Sequence, residues 1–192
     1  MSRRGARVSL TAGPAAEPVG GWDRWRCARV VLALVLLAAA VSACGRGSRA
    51  SEPLADWLSV DARSKTVTLR LQAAYNSVYS GFNFNGYGKG QVLVNVPRRW
   101  RVNVRCVNDS SSGDHSCAIV SGPGATRPAF PGAQTQPLPP HAEASFSFRT
   151  RHPGSYRIVC LLPGHSEAGM WDVLDVTFRA RPTVVLLRRP TT

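Results

Sequence analysis

Hydrophobic and polar residues alternate in several short segments beyond residue 60, and this period predicts β-strands that bury one face. The clearest segment is Lys65–Ala73, in which Val67, Leu69 and Leu71 fall on the same side. At least six further segments of this kind follow: Gln91–Pro97, Trp100–Asn108, His115–Val120, Ala144–Arg149, Ser155–Cys160 and Trp171–Phe178. Short strands without a convincing helix predict an all-β fold, an antiparallel sandwich or barrel.

Two connections lack this alternation. Phe82–Gly90 carries an Asn-Gly pair and repeated glycines, which predicts a tight connection. Ser121–Pro140 is long and rich in Gly and Pro, so we expect a lid or an irregular loop with short strand pieces. Near the C-terminus, Val184–Leu187 is either one more short strand or part of an ordered tail.

A different pattern occupies the N-terminal region. The twelve-residue apolar run Val30–Val41 follows three arginines and precedes Ser42-Ala43-Cys44, an arrangement typical of a secretory signal and too short for a confident spanning helix. The last four residues, Val41–Cys44, are similar to a bacterial lipobox, which predicts cleavage before Cys44 and a lipid on its thiol. An uncleaved anchor or a plain signal is the alternative. Each places the domain outside the cytoplasm, and we expect it on the outer face of the bacterial cytoplasmic membrane.

The domain organisation follows from these patterns. We expect a signal peptide over 1–43, a tether over 44–56, one β-domain over 57–180 and a C-terminal tail over 181–192. A chain of 192 residues with 44% hydrophobic residues is sufficient for one domain with a real core.

The net charge is strongly positive, at +13 for the chain and +9 once the signal is removed, since 18 basic and 9 acidic residues remain. Nucleic acid is excluded as a partner, because the domain is exported and has no basic helix. A solvated basic surface near anionic lipid is the favoured interpretation. Docking to an acidic redox partner is the functional alternative.

Five cysteines remain to be explained. Cys27 lies in the signal and Cys44 is the lipidation candidate, which leaves three. In an oxidising compartment an odd thiol needs a role. A disulfide between Cys106 and Cys117 with Cys160 bound to a metal accounts for all three, whereas other pairings leave a free thiol beside two histidines.

The candidate chemistry lies in the stretch Cys160–Met170, where a thiol, an imidazole (His165) and a thioether (Met170) fall within eleven residues. Thiolate and imidazole make strong in-plane bonds to copper, and a thioether approaches weakly along the axis. A mononuclear site needs a second imidazole, and His115, which opens a predicted strand, is the best candidate. His141 and His152 lie in Pro-containing turns and are interpreted as exposed residues.

These motifs resemble a cupredoxin: a strand, Cys, Pro-Gly-His, Gly-Met and a further strand, with a histidine upstream. Phe82–Gly86, together with Pro163-Gly164-His165 and Gly169-Met170-Trp171, resembles the sulfocyanins, membrane-associated blue copper proteins. The resemblance spans about Lys65 to Phe178. Ser116 departs from it, because many cupredoxins have Asn after the histidine. Cys117 is also outside the general pattern.

The resemblance implies a Greek-key β-sandwich or barrel of about 7–8 strands. It also implies one type 1 copper ion, with equatorial ligands His115, Cys160 and His165 and axial ligand Met170. The implied activity is not enzymatic. It is the transfer of single electrons between redox proteins, such as a respiratory complex or an oxidase, by a monomer that a lipid anchor holds at the membrane.

Three other functions fit the sequence less well. A copper enzyme needs an open coordination position and usually a general acid or base, and no spare histidine is placed nearby. A copper-delivery module usually has several Met or Cys ligands, whereas Met170 is the single Met after Met1. A non-redox binding domain on the same scaffold is disfavoured by the intact ligand set.

Overall fold

The computed structural model describes residues 53–178 and 181–188, which lie in one compact unit. The predictions on the signal peptide, on Cys44 and on residues 44–52 of the tether lie outside these residues. The described residues contain nine strands, namely β1 (Leu58–Asp61), β2 (Thr66–Ala73), β3 (Val92–Pro97), β4 (Arg101–Asn108), β5 (Ala118–Val120), β6 (Glu143–Arg149), β7 (Gly154–Val159), β8 (Trp171–Thr177) and β9 (Thr183–Leu186). One helical turn, α1 (His165–Ala168), and two 3₁₀ turns, Leu54–Asp56 and Val78–Gly81, complete them. None of the helices in these ranges is long and apolar enough to cross a membrane.

The strands form two sheets, with the orders β1-β2-β4-β6 and β5-β7-β8-β3-β9. Both sheets are mixed, because β2 pairs with β4 in parallel and β3 pairs with β8 in parallel. The predicted all-β sandwich of two sheets is therefore confirmed, and only the expectation that its strands pair antiparallel needs correction, because two of the strand pairs are parallel. From β2 to β7 each strand lies in the opposite sheet to the one before it, so strands that are neighbours in a sheet are distant in sequence. Alternation in sequence reveals which face is buried but not which strand lies alongside.

The predicted faces form the core. Val67, Leu69 and Leu71 of β2 have no exposed surface, and neither do Val92 and its alternate neighbours in β3. These side chains pack between the sheets with the alternate residues of β4 and β8. The period-2 pattern therefore correctly identified the residues that hold the two sheets together.

The long connection after β5 differs from a simple lid. The predicted strand His115–Val120 shortens to Ala118–Val120, and His115 makes an isolated bridge with Leu138. Further bridges join Ala118 to Gln134 and Val120 to Pro128, so the irregular segment returns alongside β5. The C-terminal residues Thr183–Leu186 form β9, which pairs antiparallel with β3 at the sheet edge.

The strand directions give the sandwich two distinct ends. The parallel strands β2 and β4 run towards Ala73 and Asn108, β7 ends next to Cys160, and β8 starts at Trp171. We call this the ligand end. The opposite end, where β4 begins at Arg101 and β6 finishes at Arg149, is the distal end.

Candidate metal centre

Three segments at the ligand end bring the predicted donors together. His115 lies before β5, Cys160 follows β7 directly, and His165 is the first residue of α1. One ligand atom from each lies within 4.8 Å of the others. His115 and Cys160 are 45 positions apart in the sequence. The sandwich therefore supplies a three-donor cluster from distant parts of the chain.

The loop between β7 and β8 is closed by its own backbone. The Cys160 N–H donates to the Met170 carbonyl (3.2 Å), and the Met170 N–H donates to the His165 carbonyl (2.9 Å). Gly164, with φ 82°, precedes the single turn of α1. The turn brings His165 Nδ1 to 3.3 Å from Cys160 Sγ, while Met170 is fully buried in the same cluster of side chains as Cys160. The sequence indicated a turn here, but not that it is helical.

The protonation preferences of these groups suit a bound cation. Burial, then the neighbouring His165, lowers the pKa of His115 to about 4, and burial also lowers the pKa of His165. Both imidazoles are therefore neutral at neutral pH and free to donate a lone pair. Burial raises the pKa of the Cys160 thiol, so the thiolate needs a cation beside it.

An unsatisfied atom tests whether a metal fits. The Nδ1 atom of His115 is buried and has no hydrogen-bond partner among the described residues. An orphaned buried nitrogen is costly unless something coordinates it. One thiolate and two imidazoles with a thioether close by are the donor set that copper uses in electron-transfer sites. The residues present therefore fit one copper ion.

Ser116 links the two sides of the site. Its backbone N–H donates to Cys160 Sγ (3.3 Å), and its hydroxyl lies 3.6 Å from the same sulfur. The hydroxyl oxygen also accepts a hydrogen bond from the Leu161 N–H (3.0 Å). The serine thus ties the segment of His115 to the loop of Cys160.

We expect Ser116→Ala to lower the reduction potential of the copper-loaded protein. A donor aimed at the sulfur favours the electron-rich reduced state, so its loss favours the oxidised state. One hydrogen bond of ~1 kcal/mol corresponds to about 40 mV for one electron. A potentiometric titration measures the shift. Ser166→Ala, in α1, is the matched control and should leave the potential unchanged; an unchanged potential in Ser116→Ala would contradict the role of the hydroxyl.

Phe82 is a site residue that the sequence did not single out for a role. Its ring meets His165 edge-on, with 4.8 Å between ring centroids, and lies 6.5 Å from the ring of His115. A groove of about 690 Å³ opens onto both imidazoles, and Phe82, Asp109 and Asp114 are among its lining residues. The phenyl ring therefore fixes the orientation of His165 and keeps water from part of the imidazole.

The asparagines of Phe82–Gly86 hold this ring in place. The Asn83 amide donates to the carbonyls of Asn76 and Val78 (2.9 and 2.8 Å). The Asn85 side chain accepts from the Gln72 N–H (2.7 Å), at the end of β2. Both asparagines are fully buried, and their hydrogen bonds anchor the segment to the sheet. The sequence motif thus indicated the segment that contains Phe82, but it did not indicate that the phenyl ring contacts His165.

Two glycines let the next segment approach the ligand loop. A Cβ on Gly88 would lie 2.5 Å from the Gly169 carbonyl, and one on Gly90, whose φ is +69°, would lie 2.5 Å from the Trp171 ring. Lys89, between them, donates its N–H to the Gly169 carbonyl (2.8 Å). The segment therefore supports the loop at Gly169 and Trp171, where the loop ends.

The remaining predicted residues fall as follows. Cys106 in β4 and Cys117 before β5 form the predicted disulfide, and Cys160 is the free cysteine of the described residues. His141 and His152 are exposed and lie outside the donor cluster. The disulfide joins the two sheets two residues beyond His115.

The two-sheet β-sandwich and the donor cluster of His115, Cys160 and His165 fit the cupredoxin class, whose members hold one type 1 copper ion. Over part of its length the chain is similar to sulfocyanin: the sequence model of the Sulfocyanin (SoxE) domain matches residues 53–132. The match includes Phe82–Gly86 and His115 and ends before the loop of Cys160. No curated protein sequence gives a significant match.

The solved structures with a similar fold are described as copper proteins. Auracyanin A, a "blue" copper protein from Chloroflexus aurantiacus, is 20% identical, with 58% of this chain and 99% of that chain covered and a TM-score of 0.44. Rusticyanin from Thiobacillus ferrooxidans is 20% identical (63% and 86% covered, TM-score 0.42). Copper nitrite reductase from Nitrosomonas europaea is 24% identical (58% and 41% covered, TM-score 0.47). Because each TM-score is below 0.5, we draw nothing about function from these likenesses.

Proposed function

We propose that the protein carries single electrons between redox proteins of a respiratory chain, while a lipid on Cys44 holds it at the outer face of the cytoplasmic membrane. The observation that carries this proposal is the cluster of His115, Cys160 and His165, whose donors lie within 4.8 Å of one another. Bound copper would supply a one-electron couple. His115, Cys160 and His165 would hold it, with Met170 as a weaker fourth ligand.

The chain contributes rigidity and a dry environment. Backbone hydrogen bonds close the loop from Cys160 to Met170, and Ser116 and Lys89 support it near its beginning and its end. A site that changes little between oxidation states loses little energy to rearrangement when the electron moves. His165 is only partly buried and lines the open groove, so we propose its ring as the route by which the electron enters and leaves.

Copper delivery and copper catalysis are the alternatives. Delivery needs a ligand set that releases its ion, and here the Cys160 sulfur is buried. Catalysis needs a free coordination position and a proton donor. Asp109 and Asp114 line the groove, but among the described residues no third histidine joins the donor cluster. We therefore favour electron transfer, by a protein that acts as a monomer.

Reversible redox cycling tests the proposal. The full chain loaded with Cu(II) is expected to show an intense visible band that ascorbate bleaches with one electron per copper and that ferricyanide restores. Oxygen and nitrite should not be consumed catalytically. A colourless copper complex, or steady turnover of either substrate, would refute the electron-transfer function in favour of delivery or catalysis.

A further inference from the structure

Basic side chains are concentrated at the distal end of the sandwich. Arg101, at the start of β4, is paired in the strand register with Thr66 of β2 and with Arg149 of β6. The Arg98 and Arg99 N–H groups donate to the Thr177 and Thr150 carbonyls, which places their turn at the same end. The basic residues of this end are Arg63, Lys65, Arg98, Arg99, Arg101, Arg149, Arg151 and Arg181. All are exposed except Arg98, which is half-buried.

Few acidic side chains offset this positive charge. Two carboxylates lie at the same end, Asp61 and the half-buried Asp175. Asp61 accepts hydrogen bonds from the hydroxyl and the N–H of Ser64, which hold the pKa of its carboxyl below the usual value. Among the described residues, none of the eight basic side chains takes part in an ion pair. The distal end therefore presents a strong positive field.

An aromatic ring lies among these arginines. Phe178 follows β8 and is 78% exposed. The Arg98 guanidinium is 5.8 Å from its ring centroid, and a groove of about 310 Å³ runs between Phe178, Pro97 and Arg99. Exposed aromatic residues flanked by cations are typical of surfaces that meet lipid headgroups, where the ring enters the interface and the cations meet phosphates.

The ligand end carries charges of both signs, since Lys89, Arg157 and Arg188 lie beside its loop together with several carboxylates. Asp109 and Asp114 line its groove, and Glu167 lies on α1. The two ends are separated by the length of β4, whose eight residues span roughly 25 Å. An acidic redox protein attracted to the distal end would therefore dock far from the metal ligands. A membrane needs no access to the metal, so the charge distribution favours a lipid surface over an acidic protein.

We propose that the distal end binds the anionic headgroups of a membrane surface and so turns the ligand end away from the bilayer. A lipid anchor limits how far a domain can move from the membrane but does not select the face that the domain presents. The basic end and Phe178 select that face. The proposal does not depend on the metal, and it adds an orientation to the proposed anchoring.

Hydrogen–deuterium exchange of the vesicle-bound full chain tests the orientation. Phosphatidylcholine vesicles are compared with vesicles that also contain phosphatidylglycerol. We expect amides of the distal turns around Arg99 and Arg151 to exchange at least about fivefold more slowly on the anionic vesicles. Amides of the ligand end, such as that of Glu167, should not change. In 1 M salt, where the screening length falls to about 3 Å, the protection should disappear.

Charge reversal provides the matched controls. The double variant Arg99→Glu/Arg151→Glu should lose the protection, whereas Arg105→Glu/Arg127→Glu, with the same change in net charge elsewhere, should keep it. Protection of the ligand end, or no salt-sensitive protection on anionic vesicles, would overturn the proposal in favour of an acidic protein as the occupant.

Flotation separates this proposal from the lipid anchor. A chain that does not float with neutral vesicles has no anchor, and flotation with anionic vesicles alone then still supports the distal end. Flotation with neither overturns it. The visible band of the copper-loaded protein confirms in each variant that the domain remains folded.

Discussion

The variant Cys160→Ser is expected to lose the visible absorption of the copper-loaded protein completely. The colour depends on charge transfer from a thiolate, and a serine hydroxyl is a hard, weakly acidic donor that cannot replace it. We also expect copper affinity to fall by more than the 10–100-fold that the loss of an outer hydrogen-bonding partner costs. Spectroscopic copper titration measures both effects.

We expect the visible absorption to be lost because the metal ligand is removed, and not because the domain unfolds. Cys160 is nearly fully buried, so the serine variant will be somewhat less stable, and circular dichroism should confirm that it folds. The control is Ser116→Ala, which removes a group beside the same sulfur and should keep the band. A Cys160→Ser protein that still shows the intense band would prove that the sulfur of Cys160 does not bind the metal.

The double variant Cys106→Ala/Cys117→Ala is expected to have the largest effect on stability. The disulfide joins residues 11 apart, and the loop-entropy model assigns about 3 kcal/mol to a closed loop of this size. For a domain of this length that corresponds to a fall of roughly 10 °C in melting temperature. Calorimetry of the oxidised protein and the variant measures the difference.

The same change should loosen the metal site. Cys117 follows Ser116 directly, and the Ser116 N–H reaches the sulfur of Cys160 at 3.3 Å. Without the disulfide, His115 and Ser116 are held by the bridge to Leu138 and by hydrogen bonds alone. We expect weaker copper binding in addition to the lower melting temperature.

A core variant separates the two effects. Val102→Ala lies on the buried face of β4 and should cost about 2 kcal/mol without changing the copper spectrum. If the cysteine variant melts at the wild-type temperature, the disulfide does not stabilise the fold. If it melts lower but binds copper with unchanged affinity, the disulfide has no part in positioning His115.

The sequence predicted most of the donor set because ligand chemistry is local. Cys160, His165 and Met170 share one loop, and residue type and spacing alone indicate which metal they suit. His115 was found by elimination among four histidines. Its buried, unpaired Nδ1 became visible only in three dimensions, because burial depends on the packing of both sheets.

The supports of the site were not predictable in this way. Phe82 and Lys89, from one connection, and Ser116, from another segment, contact the ligands or their loop, and nothing in their local pattern indicates the contact. Ser116 looked like a departure from a family pattern. In the fold its hydroxyl accepts from the Leu161 N–H, so a smaller side chain makes the link.

The sequence by itself determined which residues are buried and which can bind a metal, because alternation and side-chain chemistry are properties of short segments. Only the tertiary structure decided that both sheets are mixed, that the predicted Cys106–Cys117 disulfide links one sheet to the other, and that the basic residues gather at the end opposite the ligands. The physical reason is the same in each case. Pairing between strands distant in sequence is set by the packing of the whole domain, and no local pattern records it.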